Sequence, residues 1–411
     1  MTTATSASLD ALEKELEVLE RVKVFDENIK GGSERILQAL PSLEEEKHTD
    51  TKVRILLLRS RARLLLPCVS KEAERDIQTA LKLKQCSINT WLVLSECYLR
   101  RNAFKEACDA LDNALLMDSS NAEALCRYSQ VQRNRCSEKG VTEAQRLVFL
   151  SDAVAKSHKA VQANIDNPDA WNSLSLSLLS KAVAGRVSYD AIRKALSAIQ
   201  QAIKRAQDDP DLHYNKGVLE CLSGHFGTAA AEALRANELD GHRLKDAKRL
   251  CEQNVDILRK AISCGKILKT MRKRDLKKFL ASISATVKRR ASHKATTESS
   301  WMDVAVVEVL SDSTMQPLAI LAVNEGSDLF TILLYELSSS CVKIGDIVSF
   351  PATSQHMAIS HEVPAIPFLQ LDGFSTSMVH YYPFLEATLI NEKPIPIKNR
   401  VPVQMCSRLF A

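Results

Sequence analysis

The sequence predicts a long array of paired α-helices followed by a small all-β domain, and three observations indicate this fold class. The first ~285 residues are rich in Ala, Leu, Lys, Glu and Gln, and apolar residues recur every three or four positions, as in amphipathic helices. The last ~110 residues contain short β-branched or aromatic runs between Gly, Pro, Asn and Asp clusters, which is typical of strands. A helical motif also recurs in the first part at a fixed spacing.

The N-terminal stretch from Ser8 to about Ile29 is amphipathic and comes before the first clear repeat. The open end of a helical array needs a cover, so we expect residues 1–50 to form capping helices. This end of the chain has no basic segment followed by an apolar core, and the sequence has no run of ~18 uninterrupted apolar residues. We therefore expect no secretory signal, no membrane-spanning helix and no membrane partner.

The clearest copy of the helical motif lies between Ile88 and Asn121. It fits the spacing W-x2-L-G-x2-Y in a first helix and A-x3-F-x2-A in a second, through Trp91, Leu94, Ser95, Tyr98, Ala107, Leu111 and Ala114. This is the tetratricopeptide pattern, whose period is 34 residues. Its small residues let the two helices of a repeat approach closely, while the large ones fill the gap between neighbouring repeats.

The same register recurs along residues 51–258, which we therefore predict to be a tetratricopeptide-repeat solenoid. The matching positions are Ala73, Ile77 and Ala80; Trp171, Leu174 and Leu178; Ala195, Ile199 and Ala202; and Gly217, Ala229, Ala233 and Ala236. The stretch from Asn121 to Asn167 is longer than one repeat and has no Trp. We expect it to be a degenerate unit with extended helices.

Positive charge is concentrated just after the array. Six of the ten residues in "KTMRKRDLKK", 269–278, are Lys or Arg, although the 411-residue chain has a formal net charge of only +5. We predict a basic capping helix over residues 259–284 and a polar linker over residues 285–300. A solvated helix face, a nuclear localisation signal and a contact with ribosomal RNA are all compatible with this composition.

Residues 301–411 predict a small all-β domain with five strands, which suits an OB-type barrel. The strands are expected near Val304–Leu310, Leu318–Asn324, Phe330–Leu337, Val342–Phe350 and Phe384–Ile390. An SH3-like barrel and a short sandwich remain alternatives. This domain has few Lys and Arg residues, so a structural or protein-binding role is favoured over nucleic-acid binding.

The sequence contains no phosphate-binding glycine loop and no GxSxG motif, and its nine His residues are dispersed. We therefore expect a protein that is not an enzyme and that has neither a cofactor nor a metal site. The eleven cysteines are odd in number and include no CxxC pair, which indicates reduced thiols in the cytoplasm or nucleus.

The order of repeat array, basic helix and small barrel resembles the tetratricopeptide repeat protein 5 family. The stretches "NPDAWNSLSLSLL" and "DDPDLHYNKGVL" look like the starts of later repeats in that family, and "KILKTMRKRDLKKFLASI" looks like its closing helix. The stretches "KIGDIVSFP" and "PFLEATLINEKP" look like its barrel. The resemblance implies an adaptor that binds the N-terminus of nascent α- and β-tubulin at the ribosome and promotes tubulin mRNA decay.

The resemblance also implies an alternative function, a nuclear co-activator scaffold in the stress response. The expected partners are thus the nascent tubulin peptide, the ribosome, and mRNA-decay or co-activator adaptor proteins. The expected location is the cytoplasm and the nucleus.

Specific residues carry these implied roles. Tubulin chains begin Met-Arg-Glu, so a reader needs an acid for the Arg and a base for the Glu. The family pattern gives these roles to Asp211 in "PDLH" and to Arg133 in "YSQVQRNR", with Arg135 as the alternative base. A charge at a helix N-terminus, worth ~0.3–1 kcal/mol, explains Asp211 equally well.

The family pattern also assigns ribosome contacts. They fall on Lys82 in "TALKLK" and on three residues of the basic helix, Arg272, Lys273 and Arg274. Ribosomal RNA is a dense polyanion, so contacts of this kind should weaken steeply with salt.

Overall fold

The structure is a computed structural model that describes most of the chain. The residues that it describes are 2–21, 27–40, 48–66, 71–83, 87–184, 189–241, 244–270, 274–275, 277–278, 281, 301–311, 317–324, 329–335, 337–351, 355–360, 377–382, 388–391 and 393–395. These residues fold into two compact units, Met1–Ser177 and Leu178–Leu409, and the boundary falls inside a helix.

The helices occupy the first two thirds of the chain. They are α1 (Thr2–Arg21), α2 (Glu27–Ala39), α3 (Thr49–Leu64), α4 (Lys71–Leu83), α5 (Ile88–Arg100), α6 (Phe104–Met117), α7 (Ala122–Arg135), α8 (Glu143–Ala163), α9 (Pro168–Ala184), α10 (Tyr189–Arg205), α11 (Pro210–Leu222), α12 (Phe226–Asp240) and α13 (Lys245–Thr270). None of the described helices combines the length and the hydrophobicity that crossing a bilayer requires.

Helices α1 and α2 pack on α3 at the start of the first unit. Leu9 and Leu16 of α1, Ile36 of α2, and Ile55 and Leu58 of α3 form one buried apolar cluster. The apolar stripe of α1 therefore covers the first helix of the array. This arrangement fits the capping helices predicted for residues 1–50, although α3 already begins at Thr49.

The small residues of the repeat register lie where the sequence predicted them, in the second helix of each helix pair. All of these are at most 1% exposed: Ala73, Ile77 and Ala80 in α4; Ala107, Leu111 and Ala114 in α6; Ala195, Ile199 and Ala202 in α10; Ala229, Ala233 and Ala236 in α12. Small side chains at this contact let paired helices lie close together. The predicted tetratricopeptide-type helical array is confirmed.

The stretch predicted to be degenerate forms a complete helix pair, α7 and α8. Ala153, Ser157 and Ala160 of α8 are fully buried at the same spacing as in the other pairs. The hydroxyl of Ser157 donates to the backbone oxygen of Ala153 at 2.8 Å, so the polar atom is satisfied inside its own helix. Serine can therefore stand in for the usual apolar residue, and this pair is regular at its contact.

The two tryptophans of the repeat signature are half-buried rather than buried. Trp91 packs against two apolar clusters, one around Leu111 and one around Ile77. Trp171 donates from its indole nitrogen to the backbone oxygen of Ile165 at 2.7 Å. Trp91 thus joins two clusters, and Trp171 is fixed to the loop before its own helix, while part of each residue remains at the surface.

Helix α13 closes the helical part of the second unit. Its Cys251 and Val255 pack against Ala230 and Ala233 of α12. The predicted limit between array and basic helix, at residues 258 and 259, lies inside this continuous helix. The predicted linker, residues 285–300, lies outside the described residues.

The C-terminal domain contains one sheet. Its strands are β1 (Trp301–Val309), β2 (Leu318–Val323), β3 (Leu329–Leu334), β4 (Ile347–Pro351), β5 (Gln355–Ser360), β6 (Ser377–Tyr382), β7 (Leu389–Ile390) and β8 (Lys393–Pro394). The order across the sheet is β5-β6-β3-β2-β1-β4-β7-β8, and the pairing is antiparallel except between β3 and β6. Thus the described strands form a sheet with two ends, and the predicted closed OB-type barrel is not confirmed.

Four of the five predicted strands overlap β1 to β4, and the described residues of the fifth include β7. Strands β5 and β6 were not predicted, and β5 contains a single β-branched residue, Ile359. Inward-facing residues of β1 to β4 form the core of the sheet: Val304, Ile320, Ile332, Val348 and Phe350.

Among the described residues, side chains join the sheet to the helices of its own unit. The hydroxyl of Tyr335 donates to the backbone oxygen of Leu222, the last residue of α11. Lys260 of α13 donates to the backbone oxygen of Leu310 at 3.4 Å, and the thiol of Cys264 lies 3.8 Å from Glu308. The sheet is therefore fixed to α11 and α13.

Candidate functional site

Arg133 lies in the last turn of α7 and is only 4% exposed. The helix begins at a good cap, because the side chain of Asn121 accepts from the backbone N–H of Ala124 at 2.9 Å. A cation near the C-terminus of a helix is stabilised by the helix dipole. Its position is thus favourable, but its burial is unusual for a charged side chain.

One side of the Arg133 guanidinium is held by two hydroxyl groups. Its Nη1 donates to the Oγ of Ser129 at 3.0 Å and to the Oγ of Ser177 at 3.1 Å. The two Oγ atoms are 2.7 Å apart, and Ser177 also donates to the backbone oxygen of Ser173 at 2.7 Å. Ser177 has only one proton to give, so Ser129 donates to Ser177 and both oxygens accept from Arg133.

The other edge of the same guanidinium is unpaired. Its Nε is buried without a hydrogen-bond partner, and Nη2 makes no hydrogen bond to any residue that the structure describes. No described carboxylate forms an ion pair with it. Nε and Nη2 together form the edge that binds a carboxylate in a bidentate manner. Loss of solvation lowers the pKa of Arg133 to about 10, so the group is still charged at neutral pH.

The alternative base, Arg135, is engaged differently. Its guanidinium carbon lies 4.1 Å from the ring centroid of Phe149, in a cation–π contact. It also donates to Gln132 at 3.3 Å and lies 3.8 Å from a carboxylate oxygen of Glu138. The Nε of Arg135 is also buried without a hydrogen bond, but Glu138 and Phe149 lie beside this guanidinium. Arg133 has no described carboxylate beside it, so it is the better candidate for an external one.

Asp211 is the second residue of α11 and lies in the second unit, whereas Arg133 lies in the first. Pro210 begins the helix, and the side chain of Asp209 accepts from the backbone N–H of Asp211 at 2.9 Å. The carboxylate of Asp211 is partly exposed at this helix N-terminus. This position fits both a charge that stabilises the helix and an acid that binds a ligand.

Two further side chains of α11 converge on one carboxylate of α12. His213 Nδ1 lies 2.7 Å from Glu232, and Lys216 Nζ lies 2.6 Å from the same group. The hydrogen bond to Glu232 raises the pKa of His213. Burial alone would raise the pKa of Glu232, but the contacts with His213 and Lys216 lower it overall. His213, Lys216 and Glu232 thus balance one another's charges, and Asp211 lies in the first turn of the same helix.

The predicted ribosome-binding residues are only partly described. Lys82 is exposed in the last turn of α4. Arg274 has 81% of its side chain exposed and lies 4.0 Å from Asp275. Arg272 and Lys273 lie outside the described residues.

Within the described part of the chain, no group of three or more His, Cys, Asp and Glu residues is arranged to hold a metal ion. Eight described cysteines are free thiols. Burial raises the pKa of Cys97 and of Cys108 to about 11, so these two thiols are protonated and unreactive at neutral pH.

Solved structures with similar helix arrangements include tetratricopeptide-repeat proteins. A thermophilic TPR protein of Thermus thermophilus is 16% identical with a TM-score of 0.39, over 50% of this chain and 98% of that one. YrrB, described as a TPR protein with an unusual peptide-binding site, is 18% identical with a TM-score of 0.33, over 50% of this chain and 94% of that one. At these scores we draw no conclusion from either about what this chain binds.

Curated proteins similar to this chain include Tetratricopeptide repeat protein 5 of Homo sapiens, 29% identical over 192 residues, and of Mus musculus, 26% identical over 211 residues. These alignments cover 46% and 50% of this chain, and 43% and 47% of the relatives. The chain therefore spans about half the length of the curated relatives that it matches. No family model matches the chain. These relatives share one name, which confirms what the motifs predicted: the chain is related to the tetratricopeptide repeat protein 5 family.

Proposed function

We propose that this protein is a non-enzymatic adaptor that binds the N-terminus of nascent tubulin at the ribosome and promotes tubulin mRNA decay. The observation that carries this proposal is the unpaired edge of Arg133. A buried guanidinium with hydroxyl partners on one side and none on the other suits an incoming carboxylate. The Glu of a Met-Arg-Glu peptide would supply that carboxylate.

The energetics favour such a ligand. An uncompensated buried charge lowers the stability of the folded protein. The lowered pKa of Arg133 has the same cause, because burial disfavours the charged form. A carboxylate at Nε and Nη2 would satisfy both nitrogens and offset part of that cost. Charge-assisted hydrogen bonds of this kind contribute roughly 1.5–3 kcal/mol. A peptide with Gln in place of Glu cannot form the same charge-assisted bonds, because Gln has the shape of Glu but no negative charge.

Asp211 is our proposed partner for the Arg of the same peptide. It is partly exposed and lies in the first turn of α11. A carboxylate at a helix N-terminus is an acid of the kind that a peptide Arg would need. The remaining elements of the proposal, ribosome binding and recruitment of decay or co-activator adaptors, rest on the exposed basic residues and on the family relationship.

The proposal is tested by titrating the full chain with two labelled peptides, one beginning Met-Arg-Glu and one beginning Met-Arg-Gln. The wild-type protein should prefer the Glu peptide by about tenfold, which corresponds to ~1.4 kcal/mol. The Arg133→Gln variant should bind both peptides equally. An Arg135→Gln variant serves as the matched control, and it should keep the preference. Equal binding of both peptides by the wild type would refute this site.

We also propose that the sheet is an OB-type barrel. Strands β4 and β5 are separated in the chain only by residues 352–354, yet β4 pairs with β1 while β5 pairs with β6. If they are two halves of one bent strand, the order β1-β2-β3-β6 closes on itself through that strand. A crystal structure in which residues 352–354 do not continue the strand would contradict this proposal.

A further inference from the structure

We infer that Ser129 and Ser177 are positioning residues for Arg133: their hydroxyls hold Nη1, so that the edge formed by Nε and Nη2 is presented to an incoming carboxylate. The inference rests on the proposed role of Arg133 as the receptor of the peptide Glu. It adds two residues that do not touch the peptide and that determine how well Glu is distinguished from Gln.

The hydrogen bonds around Arg133 have a fixed direction. Ser177 donates to the backbone oxygen of Ser173, and Ser129 donates to Ser177. Neither hydroxyl proton is therefore directed at the guanidinium, and each oxygen has a lone pair left for Nη1. Ser129 lies one helical turn before Arg133 on α7, whereas Ser177 belongs to α9. The guanidinium is thus held between two helices.

Hydroxyl groups suit this task better than a carboxylate would. A carboxylate beside Nη1 would neutralise the guanidinium and compete with the ligand for it. Neutral oxygens orient the group and leave its positive charge available. An arginine side chain that is already ordered also loses little conformational entropy when it binds, which strengthens binding. Both serines are fully buried, so their hydroxyls are not diverted to water.

The test compares Ser177→Ala with a matched serine variant, Ser157→Ala. Ser157 is also fully buried and also donates to the backbone oxygen four residues earlier, but the structure gives it no contact with an arginine. Both variants therefore lose the same kind of intrahelical bond. The full chain is titrated with the Met-Arg-Glu and Met-Arg-Gln peptides, and a thermal melt is recorded for each variant.

We expect Ser177→Ala to reduce the roughly tenfold preference for the Glu peptide to about threefold, because one of two hydrogen bonds to Nη1 is lost. Ser129→Ala should have a similar effect. Ser157→Ala should keep the full preference even though its melting temperature falls by a similar amount. Ser177→Thr retains a hydroxyl and should keep most of the preference.

The possible results test the peptide site and the role of the two serines separately. If the wild type prefers the Glu peptide and Arg133→Gln abolishes this preference, the proposed site is supported. If Ser177→Ala and Ser129→Ala then weaken the binding of both peptides by the same factor, the serines act on stability alone and the inference is overturned. Equal binding of the two peptides by the wild type would refute the site itself and the inference with it. Should Ser177→Ala fail to fold, Ser129→Ala decides, because it leaves the bond between Ser177 and Ser173 in place.

Discussion

Gly217 shows how a single residue sets the distance between two helices of a repeat. It lies in the middle of α11, where glycine is normally unfavourable. A Cβ at this position would lie 3.2 Å from the backbone oxygen of Ala229 and 3.3 Å from the backbone nitrogen of Ala233. These atoms belong to the backbone of α12, which cannot move aside as a flexible side chain could. The repeat register places its smallest residue here for that reason.

Replacing Gly217 by Ala should therefore destabilise the second unit, although alanine is the better helix former. We expect a loss of about 1–3 kcal/mol, since overpacking outweighs the gain of up to ~1 kcal/mol in helix propensity. Chemical unfolding of the full chain measures the difference. Gly31→Ala is the control, because nothing lies within 4 Å of the added Cβ in α2 and this variant should be neutral or more stable. Equal effects of the two variants would contradict the close approach.

A second prediction concerns the charge of Asp211. Asp211→Lys places a positive charge against the proposed peptide Arg, so binding of the Met-Arg-Glu peptide should fall by at least tenfold. The helix loses a favourable N-terminal charge worth about 0.3–1 kcal/mol and should still fold. Asp208→Lys is the control, since the side chain of Asp208 is 82% exposed and paired with Arg235. If both variants bind the peptide as the wild type does, Asp211 has only the helix-stabilising role.

At the scale of elements, the sequence predicts what depends on local spacing and misses what depends on distant partners. The A-x3-F-x2-A register identifies α4, α6, α10 and α12, but α8 escapes it because Ser157 replaces the apolar residue. No break in periodicity marks residue 258, so the boundary predicted there had no local signal behind it, and α13 continues through it. The family motif predicts the role of Arg133. Ser129 lies one turn away in the sequence, but its partner Ser177 comes from another helix and is brought near only by folding.

The basic segment after α13 gives a prediction at this scale. Replacing Arg272, Lys273 and Arg274 together by Glu changes the local charge by six units and should remove co-sedimentation with stalled ribosomes. Binding of the isolated Met-Arg-Glu peptide should be unchanged. Raising salt from about 50 to about 200 mM should weaken ribosome binding of the wild type by tenfold or more, as expected for a few phosphate contacts.

A control with the same charge change uses the other end of this region. Lys245, Lys248 and Arg249 are exposed on the first turns of α13, and their replacement by Glu should leave most of the co-sedimentation intact. A solvated helix face predicts no effect from either triple variant. A nuclear localisation signal predicts lost nuclear import of the 272–274 variant with unchanged ribosome binding. Co-sedimentation equal to the wild type would thus exclude the ribosome contact at this segment.

At the scale of the whole molecule, the C-terminal sheet is part of the second unit rather than an independent attachment. Leu222 ends α11, and the last carbonyl groups of a helix have no donor within it. The buried hydroxyl of Tyr335 supplies that donor, while Lys260 of α13 reaches the backbone of Leu310. The helix that carries Asp211 at its start is thus held at its end by the sheet. Loss of the sheet should therefore lower the stability of α11.

Tyr335→Phe tests this coupling with the removal of one oxygen atom. The variant keeps the ring but leaves the backbone oxygen of Leu222 without its hydroxyl donor, at a cost of about 1–3 kcal/mol to the second unit. Hydrogen exchange measured by mass spectrometry should show faster exchange in α11 and in β2 and β3, with α5 and α6 of the first unit unchanged. Tyr98→Phe is the control, because its hydroxyl makes no hydrogen bond among the described residues and its ring contact with Arg101 is kept. Unchanged exchange in α11 would mean that the sheet and the helix unfold independently. The hydrogen bond from Tyr335 to Leu222 would then contribute nothing to the stability of α11.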